Sequence, residues 1–201
     1  MILSYKKDSL DNIIVEMSGV INSGGIIAYP TESFYALGVS VHNDNAVKRL
    51  FELKGRSPEK PLPLIVGDMS VLLSVVKYVP DRAGELIKRF WPGPLTLVLE
   101  ARDCISPLLT GGTGKAAVRI PGESAALYIA RAIRNPITAT SANFTAQPPA
   151  ETAWEVISYF DDKIDLIIDA GRSPGGKPST IVDVTVDPPK VLRAGSVLLD
   201  L

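Results

Sequence analysis

The sequence predicts an α/β fold with a mixed β-sheet flanked by helices, and three observations carry that expectation. Short runs rich in apolar and β-branched residues alternate with amphipathic helical runs almost to the end of the chain. The last two β-type runs, STIVDVTV and KVLRAGSV, stand too close together for a helix between them. They must pair antiparallel, in a sheet whose other strands are joined by helical crossovers. No internal repeat, low-complexity tract or linker interrupts the 201 residues, so 1–201 read as one domain. A domain of this size buries about 70% of its unfolded surface and needs no disulfide or metal staple.

In order, GIIAYPT reads as a strand running into a turn at Pro30. DNAVKRLFELKG places Val47, Leu50, Phe51 and Leu53 near helical spacing and stops at Gly55. PLPLIVGD is a short buried strand, and DRAGELIKRF is a helix that ends before the breaker WPGP. LTLVLEA and AAVRIP are strands, SAALYIARAIRN is an amphipathic helix, and PITATSAN is a strand entering a polar loop. Thr152 and Glu155 form a capping box for the helix TAWEVISYF. DLIIDAG then opens the β-rich C-terminal part.

Composition narrows the function classes. A hydrophobic share of 46% and a charged share of 21% are those of a soluble globular protein. Cys104 is the one cysteine, which excludes an internal disulfide and suits a cytoplasmic location. His42 is the one histidine, which argues against zinc sites of the His/Cys type. The first residues lack the order of a signal peptide, and no apolar run reaches the roughly 18 residues of a membrane span. A net charge of −1 excludes broad attraction to nucleic acid and leaves at most a weak, local RNA contact.

Familiar catalytic sets are missing. A Ser-His-Asp arrangement would have to use His42, nothing brings Cys104 to His42, and Asp161 and Asp162 read as a solvated helix end. What recurs is a set of loops rich in Gly, Pro, Ser and Thr that carry Lys or Arg, the groups that hold an oxyanion-rich ligand such as a nucleotide. One of them, GRSPGGKPST, nearly matches a phosphate-binding loop, with Gly171, Gly176 and Lys177 at the required spacing. Pro178 replaces the hydroxyl residue of that motif, however, and the β-branched run after it reads as a strand rather than a helix. The Walker reading is rejected in favour of a turn between strands, with Gly175 and Gly176 supplying tight backbone geometry and Lys177 left solvated.

YPTESFYALG, KGRSPEKPLPLIV, FWPGPLTLVL, AVRIPG, ITATSAN, GGKPSTIVD and VLRAGS occur in an order that resembles the YrdC-like threonylcarbamoyl-AMP synthase family, from about residue 10 to 197. The resemblance implies a twisted mixed sheet with a large concave site. It also implies a reaction of L-threonine, bicarbonate (or CO2) and ATP that yields threonylcarbamoyl-adenylate and pyrophosphate. Other proteins would then pass the threonylcarbamoyl group to tRNA beside the anticodon. Magnesium would arrive with ATP rather than on protein ligands.

Residue by residue, Thr31 resembles the group that touches the substrate threonine, and Arg119 its carboxylate partner. Lys54 and Arg56 resemble the catalytic phosphate-binding pair, with Lys60 a further ATP-side position. Thr138, Thr140, Ser141 and Asn143 would hold the adenylate and its carbamoyl arm, Ser141 also the threonine. Ser179 and Thr180 would serve the phosphate region, and Arg193 the nucleotide.

Competing expectations are a carbamoyl-adenylate-handling relative, a YciO-like paralogue and an RNA-binding module. The first would require Cys clusters this sequence lacks, the intact TSAN argues against the second, and the third would require stacking aromatics that are not visible. Ending at Leu201, the chain resembles the short, single-domain form of the family.

Overall fold

The computed structural model describes residues 1–6 and 9–199. The first half contains β1 (Ile2–Ser4), α1 (Leu10–Asn22), β2 (Ile27–Pro30), β3 (Tyr35–Gly38), α2 (Asp44–Lys54), β4 (Leu64–Ile65), α3 (Met69–Val75) and α4 (Asp81–Phe90). There follow β5 (Leu95–Glu100), α5 (Pro107–Thr110), β6 (Lys115–Arg119), α6 (Ala125–Ile133), β7 (Ile137–Thr138), β8 (Thr140–Ser141) and α7 (Ala153–Phe160). A 3-10 turn at Asp161–Lys163, carrying the solvated acidic pair, leads to β9 (Leu166–Asp169), β10 (Thr180–Asp183) and β11 (Lys190–Arg193).

These strands divide into two sheets, ordered β1-β9-β2-β3-β8 and β11-β10-β5-β6-β4-β7. Both are mixed. In the first, β9 lies parallel to β1 and β2 while β3 runs antiparallel to β2 and β8. In the second, β10 is parallel to β5 and antiparallel to β11, which is the pairing the short C-terminal connection required. The division itself is a product of ITATSAN. β7 joins the second sheet and β8 the first, so the chain changes sheets at Ala139, whose N–H donates to Pro63 O at 2.8 Å.

Period-2 alternation explains how the first sheet is buried on both faces. Ile27, Tyr29, Ala36, Leu166 and Ile168 face a cluster made with Ile13, Met17 and Ile21 of α1 and Ala126, Ile129 and Ala130 of α6. Ala28, Leu37 and Ile167, one residue out of phase, face the larger core shared with the second sheet. Neither α1 nor α3 was expected from the sequence. Helix starts follow side-chain caps: Ser9, Asn43, Asp68 and Thr152 each accept from a backbone N–H of the first turn. The Thr152 box is offset, because Glu155 reaches back to the N–H of Glu151 rather than to Thr152.

After β11 the chain folds back on β10. A Cβ at Gly195 would lie 2.2 Å from Pro178 O and 2.6 Å from Thr180 N, so this crossing admits no side chain. Gly195→Ala is therefore expected to destabilise the protein by about 3 kcal/mol, the upper end for forcing atoms into a packed site. Thermal unfolding should show a fall of roughly 6–12 °C, and an unchanged midpoint would mean that the crossing is loose.

Candidate active site between the two sheets

A cavity of about 470 Å³ opens between the sheets, within the range of small-molecule sites. The first sheet contributes Thr31, Ser33, Phe34, Tyr35 and Ala36 from the β2–β3 hairpin, with Thr140 and Ser141. Arg119, Ser179 and Arg193 come from the second, and Gly176 and Pro178 from the loop joining β9 to β10. That loop is GRSPGGKPST. It crosses from one sheet to the other, as ITATSAN does, with Gly175 and Gly176 at φ of 72° and 91°. Its Gly175 N–H donates to Ser33 O at 2.8 Å, tying it to the hairpin.

Three guanidinium groups, those of Arg56, Arg119 and Arg193, line this one cavity. Each is held differently. Arg193 donates from Nε and Nη2 to Ser179 O at 3.1 and 2.8 Å, and from Nη2 to Ser179 Oγ. Partial burial first, and the Arg119 charge second, hold its pKa below the usual arginine value. Arg56 donates from Nε to Lys60 O at 3.1 Å and from Nη2 to Pro61 O at 2.8 Å. Arg119 pairs through Nη1 with Glu32 Oε1 across the gap between the sheets. Three cations and one carboxylate leave the cavity net positive, an electrostatic setting for a polyanion.

Lys54 points elsewhere. Gly55 ends α2 in the left-handed region, with Arg56 N–H donating to Phe51 O and Gly55 N–H to Glu52 O. This stop leaves Lys54 inside and turns Arg56 outward. Lys54 Nζ donates to Ser141 O, to Asn143 O at 2.6 Å and to Asn143 Oδ1 at 3.3 Å. In return, Lys54 O accepts from Thr145 N and Oγ1. Burial, then the Arg56 charge, brings the lysine pKa down to about 7, against the oxygens around it that favour the cation.

The expected site residues therefore separate. Thr31, Arg56, Arg119, Thr140, Ser141, Ser179 and Arg193 share the cavity wall. Thr140 has a hydroxyl with no protein partner among the described residues, whereas Thr31 Oγ1 donates to Phe34 O and accepts from Ser33 N to shape the hairpin turn. Thr138 and Thr180 lie outside the cavity wall, their hydroxyls engaged by the framework. Thr138, fully buried, accepts from Val39 N, and Thr180 Oγ1 donates to Val197 O while accepting from Gly195 N. Lys60 is exposed and meets Arg56 only through its carbonyl. Asn143 lies behind the wall, its Oδ1 accepting from Ser141 Oγ at 2.6 Å. Ser33, Phe34, Tyr35 and Pro149 were missed, although the first three lie inside the quoted YPTESFYALG.

Comparison with known proteins agrees with this architecture. A family model described as "Telomere recombination" (Sua5, yciO, yrdC) matches residues 19–195. A Pyrococcus abyssi protein named threonylcarbamoyl-AMP synthase is 41% identical over 183 residues, covering 91% of this chain and 54% of its own length. One of the same name from Idiomarina loihiensis is 43% identical over 164 residues, covering 79% of this chain and 87% of its own. The crystal structure of P. abyssi Sua5 complexed with L-threonine superposes with a TM-score of 0.92 at 39% identity, over 97% of this chain and 57% of that one. The chain thus spans little more than half the length of its Pyrococcus relative.

Proposed function

The chain belongs to the Sua5–YciO–YrdC family, and from that premise we propose that it is an L-threonylcarbamoyladenylate synthase that joins L-threonine, bicarbonate-derived CO2 and MgATP. The observation that carries the reading is the convergence of Arg56, Arg119 and Arg193 on one cavity lined by Thr140, Ser141 and Ser179. L-Threonine in the P. abyssi structure supports the amino acid. The names of the relatives support the reaction.

The chemistry suits a site without a histidine. The threonine amine adds to CO2 with loss of a proton, giving a carbamate. A carbamate oxygen attacks the α-phosphorus of ATP, the bond to the β-phosphate oxygen breaks, and pyrophosphate leaves. Alignment of the reacting groups can contribute up to roughly 7–11 kcal/mol without a strong protein base. Arg119 takes the threonine carboxylate, Arg56 and Arg193 face the phosphates and nucleotide, and the free Thr140 hydroxyl is available to the carbamoyl arm. Magnesium travels with the triphosphate, since the wall offers cations and hydroxyls rather than a carboxylate cluster. The product, a mixed anhydride, is consumed by proteins that transfer the threonylcarbamoyl group to tRNA.

The test is to incubate protein with MgATP, bicarbonate and L-threonine and to follow pyrophosphate and the adenylate by mass. Formation of both only with all three substrates is expected. Pyrophosphate release without threonine would defeat the assignment, and RNA binding without turnover would favour the RNA-module alternative.

A further inference from the structure

Arg119 ends β6 with its backbone fixed, pairing with Ile65 and accepting from Val66 N–H at 3.1 Å. Its side chain has four torsions of its own, so the backbone does not determine where the guanidinium stands. One contact does: Nη1 with Glu32 Oε1. Among the described residues Nε and Nη2 of Arg119 donate to no protein atom. Both partners are largely enclosed, with side-chain exposures of 9% for Arg119 and 17% for Glu32. Glu32 Oε2 is buried and accepts nothing from the protein, so hydrogen bonding gives this carboxylate no other duty. The pair also links the first sheet to the second beside the cavity, its partners standing 87 positions apart in the chain.

We infer that Glu32 is the positioning residue for Arg119, holding the guanidinium by its Nη1 edge so that Nε and Nη2 are free to take an α-carboxylate as a bidentate ligand. The geometry makes the hairpin that carries Thr31 and Ser33 part of the same device, because Glu32 lies between them. An amino-acid carboxylate then meets an arginine already oriented rather than one that must be ordered on binding. Glu32 touches no substrate, and its effect is confined to the amino-acid end of the site.

This inference rests on the reading of the cavity as a threonine site, and the experiment separates the two. Glu32→Ala is expected to raise KM for L-threonine by roughly 10- to 100-fold, the scale of a small misplacement of a binding group. KM for MgATP should stay within about twofold, because Arg56 and Arg193 are untouched. Glu32→Gln, whose amide oxygen still accepts from Nη1, should recover most of the loss, whereas Glu32→Asp, too short to reach, should behave like the alanine variant. If Glu32→Ala does not fold, the Gln and Asp variants carry the same comparison. An unchanged threonine KM in the folded Ala or Asp variant, or equal rises for both substrates, overturns the inference. Independently of turnover, the Arg119 Nε–H resonance, assigned by its loss in Arg119→Lys, should be sharp in the parent protein and exchange-broadened in Glu32→Ala and Glu32→Asp. An unaltered resonance overturns the positioning role. A sharp parent resonance that does not respond to L-threonine, in a protein that makes no adenylate, defeats the substrate reading alone.

Discussion

Arg56→Ala is expected to lower threonylcarbamoyl-adenylate formation by about 10²–10³-fold, the usual loss when one preorganised charge-stabilising donor is removed. The fold should survive. Arg56 is only half-buried and bonds two loop carbonyls, those of Lys60 and Pro61. These acceptors can turn to water, so the stability cost is about 1 kcal/mol. Arg56→Lys should recover only part of the rate. The planar fork spans both carbonyls with Nε and Nη2 while Nη1 is left over, and an ammonium cannot brace itself twice and still face a phosphate. Pyrophosphate release at saturating substrates, together with thermal unfolding of each variant, checks both halves. Turnover of Arg56→Ala within twofold of the parent would remove Arg56 from the site.

That Arg56 and not Lys54 faces the cavity could not be read from KGR as letters. The helix stop at Gly55 was legible, because glycine after a periodic apolar run is a local signal. The direction of each cation depends on the rotation of that stop and on what packs beneath it, and the acceptors of Lys54 come from residues 141–143. The division into two sheets was hidden for a related reason. β7 and β8 are two residues each, too short for an alternation pattern, and their sheets are set by partners such as Leu64 and Leu37. Thr138 and Thr140 stand two residues apart in one hydroxyl-rich motif, where alternation alone would give them the same face, yet the change of sheet at Ala139 leaves only the second at the cavity. Glu32 drew no reading from the sequence, because its partner Arg119 lies far along the chain and nothing local in YPTESFYALG gives the carboxylate a reason to be enclosed. GRSPGGKPST was legible as a turn between strands and not as the crossing between sheets. Its Gly176 and Pro178 reach the cavity wall together with Ser179.

Lys54 carries the second large expectation, and it differs in kind from the first. Lys54→Ala removes a buried side chain and takes a donor from three oxygens, Ser141 O, Asn143 O and Asn143 Oδ1; the first keeps Asn143 N–H and the third Ser141 Oγ, while Asn143 O is left without a protein partner among the described residues. The expected cost is about 2–5 kcal/mol, with loss of adenylate formation following from release of the 141–145 segment. Lys54→Met keeps the stem and isolates the charge. The unfolded chain holds the Lys54 proton up to its ordinary value of 10.5, whereas the folded chain releases it near 7. Between those values the unfolded state binds more protons, so this residue makes stability rise with pH and exerts its full destabilising effect below about 7. Urea midpoints measured at about pH 6.5 and 9.5 should therefore move upward in the parent relative to Lys54→Met, by the contribution of one displaced proton. Parallel midpoints in the two proteins would mean that Lys54 stays charged throughout, held by the oxygens around it. In that case the cation would be a permanent part of the framework behind the cavity rather than a group that burial has brought close to neutrality.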